Sequence, residues 1–496
     1  MSKYEDFKNS IQKIADVGFA SAVLGWDQET YMPPKGAEFR SRQLATLAGI
    51  AHGMFTEPTL EKQIRELAAD KTLGVKEAKN VELTLEELDK QKKYSSDFVE
   101  EMSRSVSACF SGWNEAREKN DFKVFSSSLE KLIDLKKKEC ELLGYTEHPY
   151  NALLDQYEKK LTVKDVDVLF NQVRAELVPF VKKIFAAKQV NDDFFYQQYD
   201  KQKQWDFGIE ILKQMGYDFE AGRQDVSAHP FTTNFNARDV RVTTRTSENN
   251  LSEMLWSCIH EGGHALYEQG LPAEEYGLPL SEAVSLGIHE SQSRLWENNV
   301  GRSLAYWKNN FPRIQQIFPE QLKSVSAEQF YFAMNKVEPS LIRTNADELT
   351  YHFHIMIRYE IEKLLLEEKI KVAELPEIWN AKYKEYLNID VPDARQGVLQ
   401  DVHWSHGSLG YFPTYSIGSF YAAQFFAQAE KQINGLKNQI EKGELKNLLN
   451  FLREKVHKHG KMYSAQALCE QISGEKLNFT YFMNYAKEKY GKIYNL

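Results

Sequence analysis

Met254-Leu255-Trp256-Ser257-Cys258-Ile259-His260-Glu261-Gly262-Gly263-His264-Ala265-Leu266 is the stretch that decides how this chain is read. At its centre stands H-E-x-x-H. On an α-helix, residues i and i+4 share one face, one turn apart. His260 and His264 can therefore bind one metal ion, at about 2.0–2.1 Å each for zinc. Glu261 lies beside them without being a ligand. It can take a proton from a water that the metal has acidified to a pKa of roughly 7. One short run thus supplies two ligands and a general base for hydrolysis. The apolar flanks predict a buried helix, and buried polar groups need partners, which argues against two ordinary surface histidines. Adjacent glycines in a helix cost roughly 1 kcal/mol each relative to alanine. Close approach of another element or a ligand is a reason to keep them. The expectation is that Gly262 and Gly263 leave room above the metal for a peptide or its flanking strand.

A catalytic zinc needs a third protein ligand and an open position. A histidine six residues after His264 would complete one known pattern, but Gly270 stands there. The other solution is a glutamate on a downstream helix. The segment 281–300 reads as such a helix, with Ser281 as a candidate N-cap. It offers Glu282, His289, Glu290 and Glu297. His289 and Glu290 are neighbours and point about 100° apart, so both cannot readily ligate. Arg294 lies one turn beyond Glu290, so a surface ion pair is the competing reading of that glutamate. Spacing alone leaves the choice open.

Working outward, the chain has 496 residues, of which 42% are hydrophobic and 27% charged, an ordinary balance for a globular protein. Length alone allows roughly two to four domains. The net charge of −9 is spread without a basic block, which makes nucleic acid an unexpected partner. Cys109, Cys140, Cys258 and Cys469 are far apart and form no C-x-x-C pair, so reduced cysteines in the cytoplasm are expected. The polar first ten residues do not fit a signal peptide. No apolar run is long enough to span a membrane.

Apolar residues recur at helical spacing over 77–93, 97–119, 163–188, 351–368 and 433–455. No low-complexity linker or repeat marks a boundary. The expected fold is mainly α, one large helical domain over 1–496, with helices of about 1–120 covering a groove as a lid. Residues 231–245 break the pattern. Their Thr, Val and Phe content predicts a β-hairpin shortly before the histidine helix. Val240 and Val242 should face one way, Arg241 and Thr243 the other. Such a strand could receive a peptide backbone, or be a small structural hairpin.

Two further clusters carry chemistry. Arg343, in 342–348, could hold a carboxylate through its planar guanidinium, or pair with Asp347 four residues on. The run 397–415 contains His403, His406, Tyr411 and Tyr415. Any of these could stabilise an oxyanion, or be ordinary loop residues.

Together these stretches resemble the carboxypeptidase Taq family of zinc metallocarboxypeptidases. The resemblance rests on His229-Pro230-Phe231, on 239–243 as D-x-R-x-T, and on 260–264 as H-E-x-x-H. It rests also on His289-Glu290-Ser291-Gln292, on 342–347 as I-R-x-x-A-D, and on 397–404 as G-x-x-Q-D-x-H-W, with Trp26-Asp27-Gln28-Glu29 before them. It implies that His260, His264 and Glu290 hold the metal, that Glu261 is the general base, and that Arg343 binds the substrate's terminal carboxylate. His229, His403 and Tyr415 would lie in the cleft; Arg241 is expected beside them as a substrate contact, and Tyr415 or a nearby histidine is expected to steady the oxyanion. It further implies a neurolysin-like helical body with a deep groove, zinc with cobalt as a substitute, homodimers, and broad release of C-terminal residues from peptides. A zinc oligoendopeptidase of similar fold is the competing enzyme. A helical protein with a structural zinc is the non-enzymatic alternative, though structural sites are closed by four protein ligands.

Overall fold

The computed structural model describes residues 2–496. It is mainly helical with one three-stranded sheet. The chain folds as two compact units, each assembled from separate stretches. The first takes residues up to Gln91, Asp192–Met334 and Tyr421–Leu477. The second takes Lys92–Asn191, Asn335–Phe420 and Asn478–Leu496. The stretch of about 1–120 is therefore divided after Gln91.

Helical periodicity placed the long helices well. Val75–Gln91, Ser96–Lys119, Val163–Ala186 and Tyr351–Leu366 fall where apolar spacing predicts them. The segment 433–455 differs. It forms two helices, Leu436–Glu441 and Lys446–Lys455, because Gly435 and Gly443 adopt left-handed backbone at its start and middle.

In the first unit, Tyr4, Phe7 and Ile11 of the helix Lys3–Thr30 pack with Leu60, Ile64, Leu67, Val81, Leu88 and Leu278 into one apolar cluster. The sheet comprises β1 (Gly222–Val226), β2 (Thr232–Asn236) and β3 (Asp239–Thr244), in the order β1-β3-β2. β2 and β3 are the expected antiparallel hairpin, with a register shift between Asn234 and Asn236. Val240 and Val242 are buried. β1, parallel to β3, was not foreseen, since Gly-Arg-Gln-Asp-Val shows no apolar alternation.

Two helices follow, here called the histidine helix (Leu251–Glu268) and the glutamate helix (Leu286–Arg294). Asn250 caps the first through Ser252 N. The second is capped by Ser285 through Ile288 N, not by Ser281, which ends a short 3-10 turn. Beyond Arg294 the backbone continues as a π-helix, Leu295–Gly301, a rare form frequent at functional sites.

Of the two reasons for keeping the glycines, the packing shows close approach of other elements rather than room for a peptide. A Cβ on Gly263 would stand 2.6 Å from Ser293 Cα and 2.8 Å from Gln292 O. One on Gly262 would stand 2.7 Å from Leu212 Cδ2. Gly263 thus lets the two helices touch backbone to backbone, and Gly262 admits the helix Lys201–Met215. They bring protein together around the histidines rather than leaving space for a peptide.

Candidate metal centre and arginine cluster

The histidine helix and the glutamate helix bring His260, His264 and Glu290 together. One ligand atom from each lies within 4.8 Å of the others. Glu290 Oε2 stands 3.7 Å from His260 Nε2 and 3.4 Å from His264 Nε2. Ligands at about 2.0–2.1 Å in a tetrahedron are separated by about 3.3 Å, so this two-nitrogen, one-oxygen set fits a small divalent metal. The arginine alternative for Glu290 is also realised without competing. Glu290 Oε1 accepts from Arg294 Nε at 2.7 Å, leaving Oε2 toward the histidines.

The other candidates of that segment surround the set. Glu297 Oε2 lies 2.8 Å from His260 Nδ1 and accepts from Arg294 Nη1 at 3.0 Å. Arg302 pairs with its other oxygen at 3.1 Å. His289 Nδ1 lies 2.6 Å from His264 Nδ1, and its Nε2 lies 2.7 Å from Glu268 Oε1. Glu282 is exposed and paired with Lys461. His260 and His264 are thus both held at Nδ1, which leaves their Nε2 atoms free to face a metal.

Glu261 is buried on the same helix. Thr232 Oγ1, on β2, lies 2.7 Å from Glu261 Oε2 and 3.0 Å from its carbonyl oxygen. Burial raises the Glu261 pKa above the usual carboxylate range, suiting a base that must give its proton back. Burial resists ionisation of Glu290, but Arg294 and the histidines hold its pKa well below the usual value. Burial pushes His264 down to about 3, keeping the ring neutral, the form in which an imidazole can bind a metal. Burial also pulls on His260, yet the carboxylates of Glu290 and Glu297 outweigh it and raise its pKa.

Arg241 and His229 belong to the same unit but not to this cluster of ligands. Arg241 forks onto Asp239, with both contacts at 2.9 Å. Its guanidinium packs 4.5 Å from the Trp26 ring and 4.8 Å from that of Phe235. His229 is exposed, and its carbonyl accepts from Ser227 Oγ.

The second unit holds the arginine cluster. Arg343 starts a 3-10 turn rather than an α-helix, so Asp347, four residues on, is not its partner. Asp347 instead accepts from Leu349 N and Thr350 N. Arg343 contacts Asp401 Oδ1 through Nε at 3.0 Å and Nη2 at 2.9 Å, and Tyr351 OH through Nη1 at 3.0 Å. Arg358, fully buried, contacts Asp401 Oδ2 at 2.6 Å. Two buried guanidiniums therefore share one carboxylate. Burial opposes the charge of Asp401, but the two arginines hold its pKa far down.

Tyr415 sits under Arg343, its ring centroid 5.0 Å from the guanidinium carbon, and its OH is 3.2 Å from His403 Nε2. Burial brings His403 down to about 3, against the pull of Asp401, so it is neutral near pH 7. Tyr411 packs 5.1 Å from Tyr415. His406 turns instead onto Phe110, 5.0 Å away. Glu362 ties this stretch to the helix Tyr351–Leu366. It accepts from Trp404 Nε1 and Gly410 N, both at 2.9 Å, and from Tyr150 OH. Burial pushes its pKa up to about 7.

Sequence reasoning missed Thr232, Glu268, Asp401 and Arg358 as parts of these sites. Asp401 lay within a quoted motif. Glu268 lies four residues after His264 on the same helix, a spacing that could have found it; Thr232 lay in the hairpin stretch, and Arg358 carries no local signal.

Comparison with known proteins agrees with this geometry. Residues 6–490 match the profile described as carboxypeptidase Taq (M32) metallopeptidase. Carboxypeptidase 1 of Bacillus subtilis (strain 168) is 38% identical over 99% of both chains. The crystal structure of an M32 carboxypeptidase from Deinococcus radiodurans R1 superposes with a TM-score of 0.98, at 38% identity over 100% of both chains. A solved structure described as CHT is 55% identical over 99% of both, with a TM-score of 0.97. The chain belongs to the carboxypeptidase Taq (M32) family of metallopeptidases.

Proposed function

We propose that this metallocarboxypeptidase removes C-terminal residues from peptides, with His260, His264 and Glu290 as metal ligands, Glu261 as general base and Arg343 as carboxylate receptor. Zinc is the proposed metal, with cobalt able to replace it. The nitrogen-rich donor set suits both. When bound, the metal supplies Lewis acidity to the scissile carbonyl and acidifies the attacking water. Glu261, oriented by Thr232, takes the water's proton and returns it to the leaving amine. Tyr415, beside His403, donates to the oxygen of the tetrahedral intermediate. His229, His403 and Arg241 are proposed to line the path of the peptide, Arg241 by fixing the β2–β3 hairpin. Side-chain preference is proposed to be broad, the chain to form homodimers, and the cytoplasm to be its compartment, in keeping with four buried free thiols.

One observation carries the exopeptidase half of this reading. Among the described residues, Asp401 is the carboxylate within ion-pair distance of Arg343 and Arg358, so two buried guanidiniums rest on one anion and a peptide's terminal carboxylate would complete the pairing. Amidation of a test peptide's C-terminus checks it. Release of the terminal residue should fall by roughly 30-fold or more, the cost of leaving a buried charge unpaired. Equal cleavage of acid and amide would favour an oligoendopeptidase instead.

A further inference from the structure

A chain of hydrogen bonds runs from β2 to a proposed metal ligand. Asn234 Nδ2 donates to Glu268 Oε2. Glu268 Oε1 lies 2.7 Å from His289 Nε2, and His289 Nδ1 lies 2.6 Å from His264 Nδ1. Glu268 is buried, and Asn234, Glu268, His264 and His289 all belong to the first unit. His264 can present a lone pair at Nε2 only as the Nδ1–H tautomer.

Proton positions along the chain are interdependent. With hydrogen on His264 Nδ1, His289 accepts at its own Nδ1. Its hydrogen then sits on Nε2 and points at Glu268. Every contact is then one donor facing one acceptor. In the other tautomer, His264 accepts at Nδ1 and His289 donates from Nδ1. The bare Nε2 of His289 then faces the carboxylate, lone pair against lone pair. For a neutral His289, a carboxylate that accepts at both oxygens disfavours that arrangement.

We infer that Glu268, through His289, is a positioning residue that selects the metal-competent tautomer of His264, and that Asn234 fixes the polarity of the whole relay. His260 has no such intermediary, since Glu297 faces its Nδ1 directly. The inference rests on the metal assignment above.

The test exchanges acceptor and amide along the relay. In Glu268→Gln, Asn234 keeps donating to the new amide oxygen, which turns the amide N–H groups toward His289 and favours the wrong tautomer. In Asn234→Asp/Glu268→Gln, the new carboxylate takes the amide N–H groups and turns the oxygen back toward His289. Full-length protein is titrated with Zn²⁺ against a chromogenic chelator. Glu268→Gln should bind about ten- to a hundredfold more weakly, as other outer contacts of metal ligands do. The double variant should recover most of that loss. An unchanged affinity in Glu268→Gln overturns the inference, as does a double variant no better than the single. Circular dichroism of the metal-free proteins separates misfolding from tautomer choice. If Glu268→Gln misfolds, the nitrogen-15 resonances of His264 in the metal-free wild-type protein decide, since a hydrogen on Nε2 overturns the inference. Failure of the wild type to bind Zn²⁺ would remove the metal assignment itself, a distinguishable result.

Discussion

The histidine centre and the arginine cluster are unbalanced in opposite senses. Around the histidines lie four buried carboxylates, Glu261, Glu268, Glu290 and Glu297, of which Glu290 and Glu297 pair with Arg294 and Arg302. In the second unit, two buried arginines, Arg343 and Arg358, share the carboxylate of Asp401. Burying unbalanced charge is costly unless a partner of the opposite sign is bound. The roles proposed above would complete both regions, the first with a cation and the second with an anion. Each ligand class can be read from the sign of what is missing, without any bound molecule.

The strongest way to break this contrast is to remove charge on the acidic side without touching a ligand. Glu261→Gln should keep its metal, measured by elemental analysis, yet lose about 10²- to 10⁴-fold in kcat, the usual worth of a positioned general base. Normal turnover would return Glu261 to the role of a structural carboxylate. On the basic side, Arg343→Ala leaves Arg358 and Asp401 as a balanced pair. Its preference for a free C-terminus over an amide should collapse, by roughly 30-fold or more in kcat/KM ratio, while metal content stays constant. A variant that still discriminates would move the anion site elsewhere.

A smaller effect sharpens the picture of the second unit. The pKa of Glu362 is raised from 4.5 to about 7 by burial. A raised carboxyl contributes stability that is fully present below the unfolded value and lost as pH rises through the folded one. Wild-type protein should thus lose roughly 3 kcal/mol relative to Glu362→Gln between the two pKa values. Urea denaturation at a series of pH values measures this. Parallel stability profiles would mean that Tyr150, Trp404 and Gly410 stabilise the ionised form fully.

How much of this was legible in the sequence follows from how local each piece is. His260, Glu261 and His264 lie within one turn and a half of helix, where spacing translates into geometry without any tertiary knowledge. Glu290 could not be chosen from spacing alone, since Glu282, His289 and Glu297 share its segment. Only the packing of the glutamate helix separates ligand, relay, brace and surface pair. Family resemblance implies Glu290, and the structure places its carboxylate beside both histidines. The Arg343–Asp347 alternative assumed α-helical backbone where a 3-10 turn occurs, and the true partner lies at Asp401. β1 was invisible because its residues are mostly polar and its pairing with β3 depends on a crossover through β2. The Ser281 cap failed because Pro279–Ser281 forms its own turn and the helix starts at Ser285.

The contact at Gly263 has a consequence for how the centre is assembled. Where two helices meet main chain to main chain, no rotamer can absorb a change in their separation. The position of Glu290 relative to the histidines is then set by covalent geometry rather than by side-chain mobility. Such a centre is preorganised, so metal uptake should involve little rearrangement of the scaffold. This contrasts with small zinc domains, in which metal binding and folding are a single event. One missing methyl group thereby decides how rigidly the reactive centre is framed.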